Sequence, residues 1–297
     1  MKKSKLAYLI MIAVNLVWGL GYIACEIAFN NGWGVFTFLF YKNLIGFIFC
    51  FIVAIKTKFW KDKNTLIVGA FSGLIYFLGY AFQLTGQTQS TVTNTALITA
   101  LGIIMGPLFY WLFFKKKPEW YAFVACGVGL FGSFMLSYQP GLKMNRGDLL
   151  LFIASIIYAI HLTYVGKRGD KTILFGMLAT QFLVMTLFSG GAMIIKKEPI
   201  FGDIKAFPWV LYSGLVCGCL GITGQFYSQR NLASYKVSLL LALEGLFGTL
   251  FAIILNNEIP TPLVIGGALI ITLSITFMGY MDRVKHKKLA LKGEIAK

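Results

Sequence analysis

The sequence predicts an all-α integral membrane protein, with ten transmembrane helices arranged as two inverted five-helix repeats. Three observations predict it. Of 297 residues, 58% are hydrophobic and only 13% charged, whereas a soluble domain has about 45–50% apolar and about 25% charged residues. Ten apolar runs are each about as long as a bilayer crossing requires, which is ~20 residues of helix. The chain also matches itself, in one register, at about half its length. The 32 glycines fit the same class, because membrane helices use glycine to bring backbones together.

The runs lie at about 6–27, 35–55, 65–85, 92–114, 120–137, 148–165, 172–195, 209–228, 235–255 and 262–280. The first follows Lys2, Lys3 and Lys5, a basic start like that of a signal peptide. Its apolar stretch is too long for one and no small-residue cleavage site follows, so it reads as a retained helix. With the N-terminus inside, the inner segments hold 21 of the 27 Lys and Arg and the outer loops hold 5, Lys143, Arg146, Lys196, Lys197 and Lys205; Lys42 lies within a helix. That split follows the positive-inside rule. It places both termini in the cytoplasm and the chain in the cytoplasmic membrane.

The net charge of +16 is therefore topological, and nucleic acid is excluded as a partner. The loops are short, so no soluble domain is inserted. No GxxxxGK[ST] phosphate loop is present, which argues against ATP-driven pumping. Cys25, Cys50, Cys126, Cys217 and Cys219 all lie in apolar runs without metal-ligand spacing. No metal or cofactor is expected.

A shift of 142 aligns Leu97 with Leu239, Ala100 with Ala242, Leu101 with Leu243, Gly106 with Gly248, Leu108 with Leu250, Phe109 with Phe251 and Pro118 with Pro260. Gln83/Gln225 and Gln87/Gln229 extend the match upstream. Five helices per half means that the second half enters the bilayer from the opposite side. Inverted repeats of this kind build secondary transporters, whose solute site lies near the midplane between the halves. The expected units are 1–140 (helices one to five), 147–281 (helices six to ten) and a basic cytoplasmic tail, 282–297.

Against this background the chain resembles the drug/metabolite transporter superfamily, in its ten-helix EamA-type branch. The clearest stretch is LLLALEGLFGTLFAIILNNEIPTPLVIGGALIITLSITFMG (239–279), with Glu244 in a small-and-apolar helix and Glu258 at the turn before the last helix. The first-half copy, ALITALGIIMGPLFYWLFFKKKPEWYAFVACGVGLFG (96–132), departs from the pattern with Lys116 where the turn Glu is usual. GDLLLFIASIIYAIHLTYVGKR (147–168) and NLVWGLGYI (15–23) also fit. Lys42 falls where the family often carries Arg, and its inverted counterpart is Gln181. The resemblance implies the fold and transport. It does not identify the solute, since the family carries amino acids, vitamins, sugar nucleotides, amines and drugs.

Ionisable side chains in the bilayer cost at least ~2.5–3.5 kcal/mol on insertion scales, so the few present are candidates. Glu244 is a deep carboxylate, suited to proton coupling, to binding an amine or to a packing role. Lys42 is the deep cation, suited to a solute carboxylate or to a structural pairing. Tyr158 and His161 share a face of helix six, where His161 serves either as a proton relay or as an interhelical hydrogen-bonder. Asn15, Trp18, Tyr22 and Glu26 form one stripe of helix one that faces protein or a cavity. Gln83, Gln225, Gln181 and Asn94 are hydrogen-bonding glue, with the Gln83/Gln225 pair favoured for the cavity. Gly102/Gly106 and Gly214/Gly218 are close-packing faces, and Pro107 can kink helix four.

The expected binding set is Trp18, Tyr22, Lys42, Gln83, Tyr158, Gln225 and Glu244, with Glu244 and His161 as coupling candidates. The function expected is alternating-access transport of small organic metabolites, amino acids or related zwitterions first. An aromatic vitamin such as riboflavin, stacked on Trp18, Tyr22 and Tyr158, is the alternative; drug export and a membrane-embedded enzyme or accessory subunit rank lower. Candidate partners are the small-molecule substrate, the lipid bilayer, a coupling proton or ion, and a second copy of the chain.

Overall fold

In the computed structural model, residues 2–90, 95, 98–99, 101–137, 145–256 and 261–295 are described. Among them are ten helical spans and no strand. They are α1 (Lys2–Asn30), α2 (Val35–Ala54), α3 (Lys63–Gln87), α4 (Gly102–Phe114), α5 (Trp120–Ser137), α6 (Arg146–Arg168) and α7 (Leu174–Ile195). α8 runs as Phe207–Tyr212, Ser213–Gly221 and Ile222–Asn231; α9 as Ser234–Leu240 and Ala242–Asn256; α10 as Pro262–Ile295. Eight spans are long and apolar enough to cross a bilayer, and two more, Met105–Phe114 and Trp120–Met135, are shorter and apolar. Of the residues singled out in the sequence, Asn94, Leu97, Ala100, Lys143, Glu258 and Pro260 lie outside the described set.

Local chemistry sets the boundaries. Asp62 caps α3, accepting from Asn64 N–H at 3.1 Å and from the Thr65 hydroxyl at 2.5 Å. Asn145 and Asp148 form a reciprocal capping box at the start of α6. Lys115, at φ 55, ends α4 in the left-handed region, three residues before Pro118. At the opposite face, Glu198 receives the first amides of α2: its Oε2 accepts from Phe36 N and Thr37 N, each at 2.8 Å. A carboxylate suits a helix N-terminus.

The packing obeys a pseudo-two-fold axis. The pairs α2·α7 and α5·α10 are their own symmetry mates. The contact α3·α6 recurs as α8·α1, α3·α7 as α8·α2, and α1·α9 as α6·α4. Such reciprocity is that of two like units, and with five spans in each the second is threaded in the opposite sense to the first. One close approach is α1 on α9, where a Cβ on Gly19 would stand 2.7 Å from Gly248 N. Only hydrogen side chains let these backbones meet.

Three features depart from the sequence reading. α8 is not a regular helix: Ser213–Gly221 is π-helical. The sequence here, SGLVCGCLG, carries three glycines, and the Trp18 indole occupies the space this leaves, with Nε1 donating to Cys217 O at 2.9 Å. A side chain inserted into the backbone ladder is a regular cause of such a distortion. α9 is broken at Leu241, where Glu244 N bonds Leu241 O at 3.0 Å, three residues back instead of four. α4 carries a matching turn, with Leu101 N on Ile98 O at 3.1 Å. Finally, α10 runs past the expected end of its span near 280 to Ile295, because the Lys, Leu and Ala residues there are good helix formers.

Candidate functional site

A cavity of about 150 Å³ lies between the two halves. Each of the eight residues picked out for binding or coupling lines it: Trp18 and Tyr22 from α1, Lys42 from α2, Gln83 from α3, Tyr158 and His161 from α6, Gln225 from α8 and Glu244 from α9. The break in α9 lies at its wall, through Leu241 and Ala242, and Gly102 at the start of α4 lines it too, with Thr99 just before that helix.

Lys42 and Glu244 define its electrostatics. Lys42 is 4% exposed and its Nζ stands 3.8 Å from the centre of the Tyr80 ring, a cation–π seat. The ion pairs among the described residues are Lys236 with Asp282 and Lys285 with Glu119, so Lys42 and Glu244 share the cavity without neutralising each other by contact. Glu244 lies in the first turn of the second piece of α9, where a helix dipole complements an acid. Tyr22 shares the cavity wall with it.

Aromatic rings make most of the remaining wall. Tyr76, Tyr80 and Tyr158 meet edge to face, with centroids 4.9–5.8 Å apart. The Tyr158 hydroxyl donates to Gln83 Oε1 at 2.5 Å, joining α6 to α3. His161 is 1% exposed and stacks on Tyr76 at 4.3 Å, 6° from parallel. Ser72 Oγ donates to Gln181 Oε1 at 2.6 Å and lies 2.9 Å from His161 Nε2. With the Ser72 proton directed at Gln181, the network assigns a proton to Nε2, which donates to Ser72. His161 therefore sits in an interhelical network with Ser72 and Gln181.

The helix-one stripe divides. Trp18 and Tyr22 face the cavity, whereas Asn15 is buried away from it, with Nδ2 on Met11 O at 2.6 Å, and Glu26 is exposed. Gln87 and Gln229, the second glutamine pair of the repeat, are buried outside the cavity lining. The sequence reading missed Tyr76, Tyr80, Cys25, Cys217 and Ser213, all in the cavity wall. Tyr76, Tyr80 and Tyr158 are each uncommonly polar aromatics deep in a span, the one signal that could have found the first two.

A ten-helix membrane bundle with a polar cavity at the junction of inverted halves is the architecture of a solute carrier. The chain belongs to the EamA-like transporter family, whose model matches it twice, over residues 5–138 and 145–280. An uncharacterized transporter of Archaeoglobus fulgidus is 26% identical over 272 residues, covering 88% of this chain and 82% of that protein. The glucose uptake protein GlcU of Staphylococcus xylosus is 26% identical over 208 residues, 64% of this chain and 69% of that one. One crystal structure, described only as that of a protein, superposes with a TM-score of 0.75 over 93% of this chain and 97% of its own; at 14% identity it speaks for the fold alone. The protein is thus a multi-pass membrane transporter.

Proposed function

We propose that the protein is a secondary transporter of small zwitterionic metabolites, amino acids or close relatives, with no enzymatic step. The observation that carries this reading is Lys42 and Glu244 lining one cavity without an ion pair between them. A solute with a carboxylate and an ammonium can satisfy both. Trp18, Tyr22, Gln83, Tyr158 and Gln225 complete the proposed binding set. Size supports the same class. A cavity near 150 Å³ is one that holds a benzene-sized solute, which suits an amino acid better than a three-ring flavin.

Alternating access would proceed by rocking of unit 1–140 against unit 147–281, in the cytoplasmic membrane, with both termini and the 282–297 segment cytoplasmic. Glu244 is the proposed coupling carboxylate, taking a proton when the solute's ammonium leaves it. His161 is the second coupling candidate, held back by its engagement with Ser72.

Proteoliposomes holding the purified protein test this. Labelled amino acids should enter against unlabelled internal solute, and imposed pH gradients should drive accumulation. Glucose and riboflavin serve as competitors. Displacement by either of these, without flux of any amino acid, refutes the zwitterion reading. Cysteines placed at Lys115 and Lys143 should label from opposite sides of the cell; labelling from one side refutes the inverted threading of the units.

A further inference from the structure

We infer that Ser213, on the π-helical stretch of α8, is a specificity-determining residue that joins Lys42 in holding the solute's carboxylate. The inference rests on the zwitterion reading above and deepens it.

Ser213 is 2% exposed and its Oγ is a buried atom with no hydrogen-bond partner, yet the residue lines the cavity. A serine in a membrane helix ordinarily returns its proton to a carbonyl one turn back, as Ser228 does to Gly224 O at 2.9 Å. Ser213 makes no such bond and is left with a free donor. Its place in the bundle gives that donor a use. A Cβ on the next residue, Gly214, would stand 2.9 Å from Lys42 O, so α8 touches α2 at Lys42 itself. The hydroxyl and the ammonium thus reach the cavity from adjoining turns of two helices.

Lys42 carries three N–H donors and Ser213 one O–H donor, while a carboxylate offers two acceptor oxygens. One oxygen on each is the arrangement these groups satisfy. Gln225 Oε1 is also buried, unpartnered and in the cavity wall. It is an acceptor, however, and lies 12 residues further along α8, too far to share the same carboxylate. The π-helical stretch begins at Ser213, and its glycine at 214 brings the two helices together.

The test is counterflow in proteoliposomes. The probes are the best-transported of the standard amino acids and the amine left when that amino acid loses its carboxylate. Ser213→Ala should raise KM for the amino acid about tenfold, leave kcat within about twofold and leave amine transport unchanged. Ser213→Cys keeps the volume and weakens the donor, so it should behave alike and carries the test if the alanine variant does not fold. An unchanged KM in either folded variant overturns the inference, as does an equal rise for amino acid and amine. If the unsubstituted protein carries no amino acid at all, the zwitterion reading falls, and this inference with it. That result appears before any substitution is made and is distinct from a Ser213 failure.

Discussion

Replacing Lys42 by methionine should make the empty protein more stable while removing its transport of zwitterions. Lys42 is 4% exposed, with the face of Tyr80 at 3.8 Å as its charge partner. An ammonium in mid-membrane costs ~2.5–3.5 kcal/mol on insertion scales, and a desolvated cation–π contact returns about 2 kcal/mol. The balance, about 1 kcal/mol, is what the apolar and nearly isosteric methionine recovers. At about 2–4 °C per kcal/mol, Tm in detergent should rise by about 2–4 °C. Transport should fall by about 10- to 150-fold in kcat/KM, the worth of a hydrogen bond to a charged group, 1.5–3 kcal/mol. Both quantities come from one preparation, by thermal unfolding and by proteoliposome flux. A double-mutant cycle with Tyr80→Leu should show coupling in stability of about 0.5–2 kcal/mol. A Tm lowered by several degrees with flux retained would refute this reasoning, because it is the signature of a lysine that holds the bundle together.

Three further outcomes follow from the packing and the loops. Gly19→Ala places a methyl 2.7 Å from Gly248 N, a backbone atom that cannot turn aside; we expect a loss of ~1–3 kcal/mol, read as a lowered Tm, and an unchanged Tm contradicts the contact. Glu198→Ala removes the acceptor for Phe36 N and Thr37 N, so these amides should exchange hydrogen faster and stability should drop by about 1 kcal/mol; unaltered exchange there would contradict the cap. The Thr65 hydroxyl, with help from the Asn64 and Thr65 amides, holds the Asp62 carboxyl below its ordinary pKa. A carboxyl lowered in the folded protein stabilises it fully above the unfolded value near 4 and ceases to do so as pH falls through the folded value. Tm measured from pH 5 to pH 3 should therefore fall more steeply for the unsubstituted protein than for Asp62→Asn; parallel curves refute the cap's role.

The spans and the candidate polar residues were legible for one reason. Apolar helices must fill the bilayer, and an exception such as Lys42 or Glu244 is too costly to occur without a use, so scarcity itself points to the site. Gln83 and Gln225 were legible through the repeat. The cavity's finer structure was not. The π-helical turn at Ser213–Gly221 depends on the Trp18 indole reaching Cys217 O, a contact across 199 residues that no local pattern encodes. The break in α9 falls at Leu241, a residue with high helix propensity, so the cause is tertiary. Ser213 was hidden among many serines and is distinguished only by lacking the bond its kind usually makes. Tyr80 was one of 14 tyrosines until Lys42 was found above it.

The two repeats are alike in path but send opposite kinds of ionisable side chain to the cavity, Lys42 from one and Glu244 from the other, and this asymmetry is the strongest argument for a dipolar solute. A strictly duplicated protein would present the same side chain on both sides of its axis. The position that holds Lys42 in α2 is matched in α7 by Gln181, hydrogen-bonded to Ser72. The position that holds Glu244 in α9 is matched, at the shift of 142, by Gly102 in α4. Each half contributes one ionisable side chain to the cavity, and the matched position is neutral. A neutral sugar gains nothing from such a field, and a lone ammonium or carboxylate leaves one buried charge unanswered. Restoring the symmetry by Lys42→Gln should therefore shift preference away from zwitterions toward amines, which Glu244 still answers, and flux ratios between an amino acid and its decarboxylated amine measure that shift directly. A ratio unmoved by Lys42→Gln would mean that the field across the cavity does not select the solute.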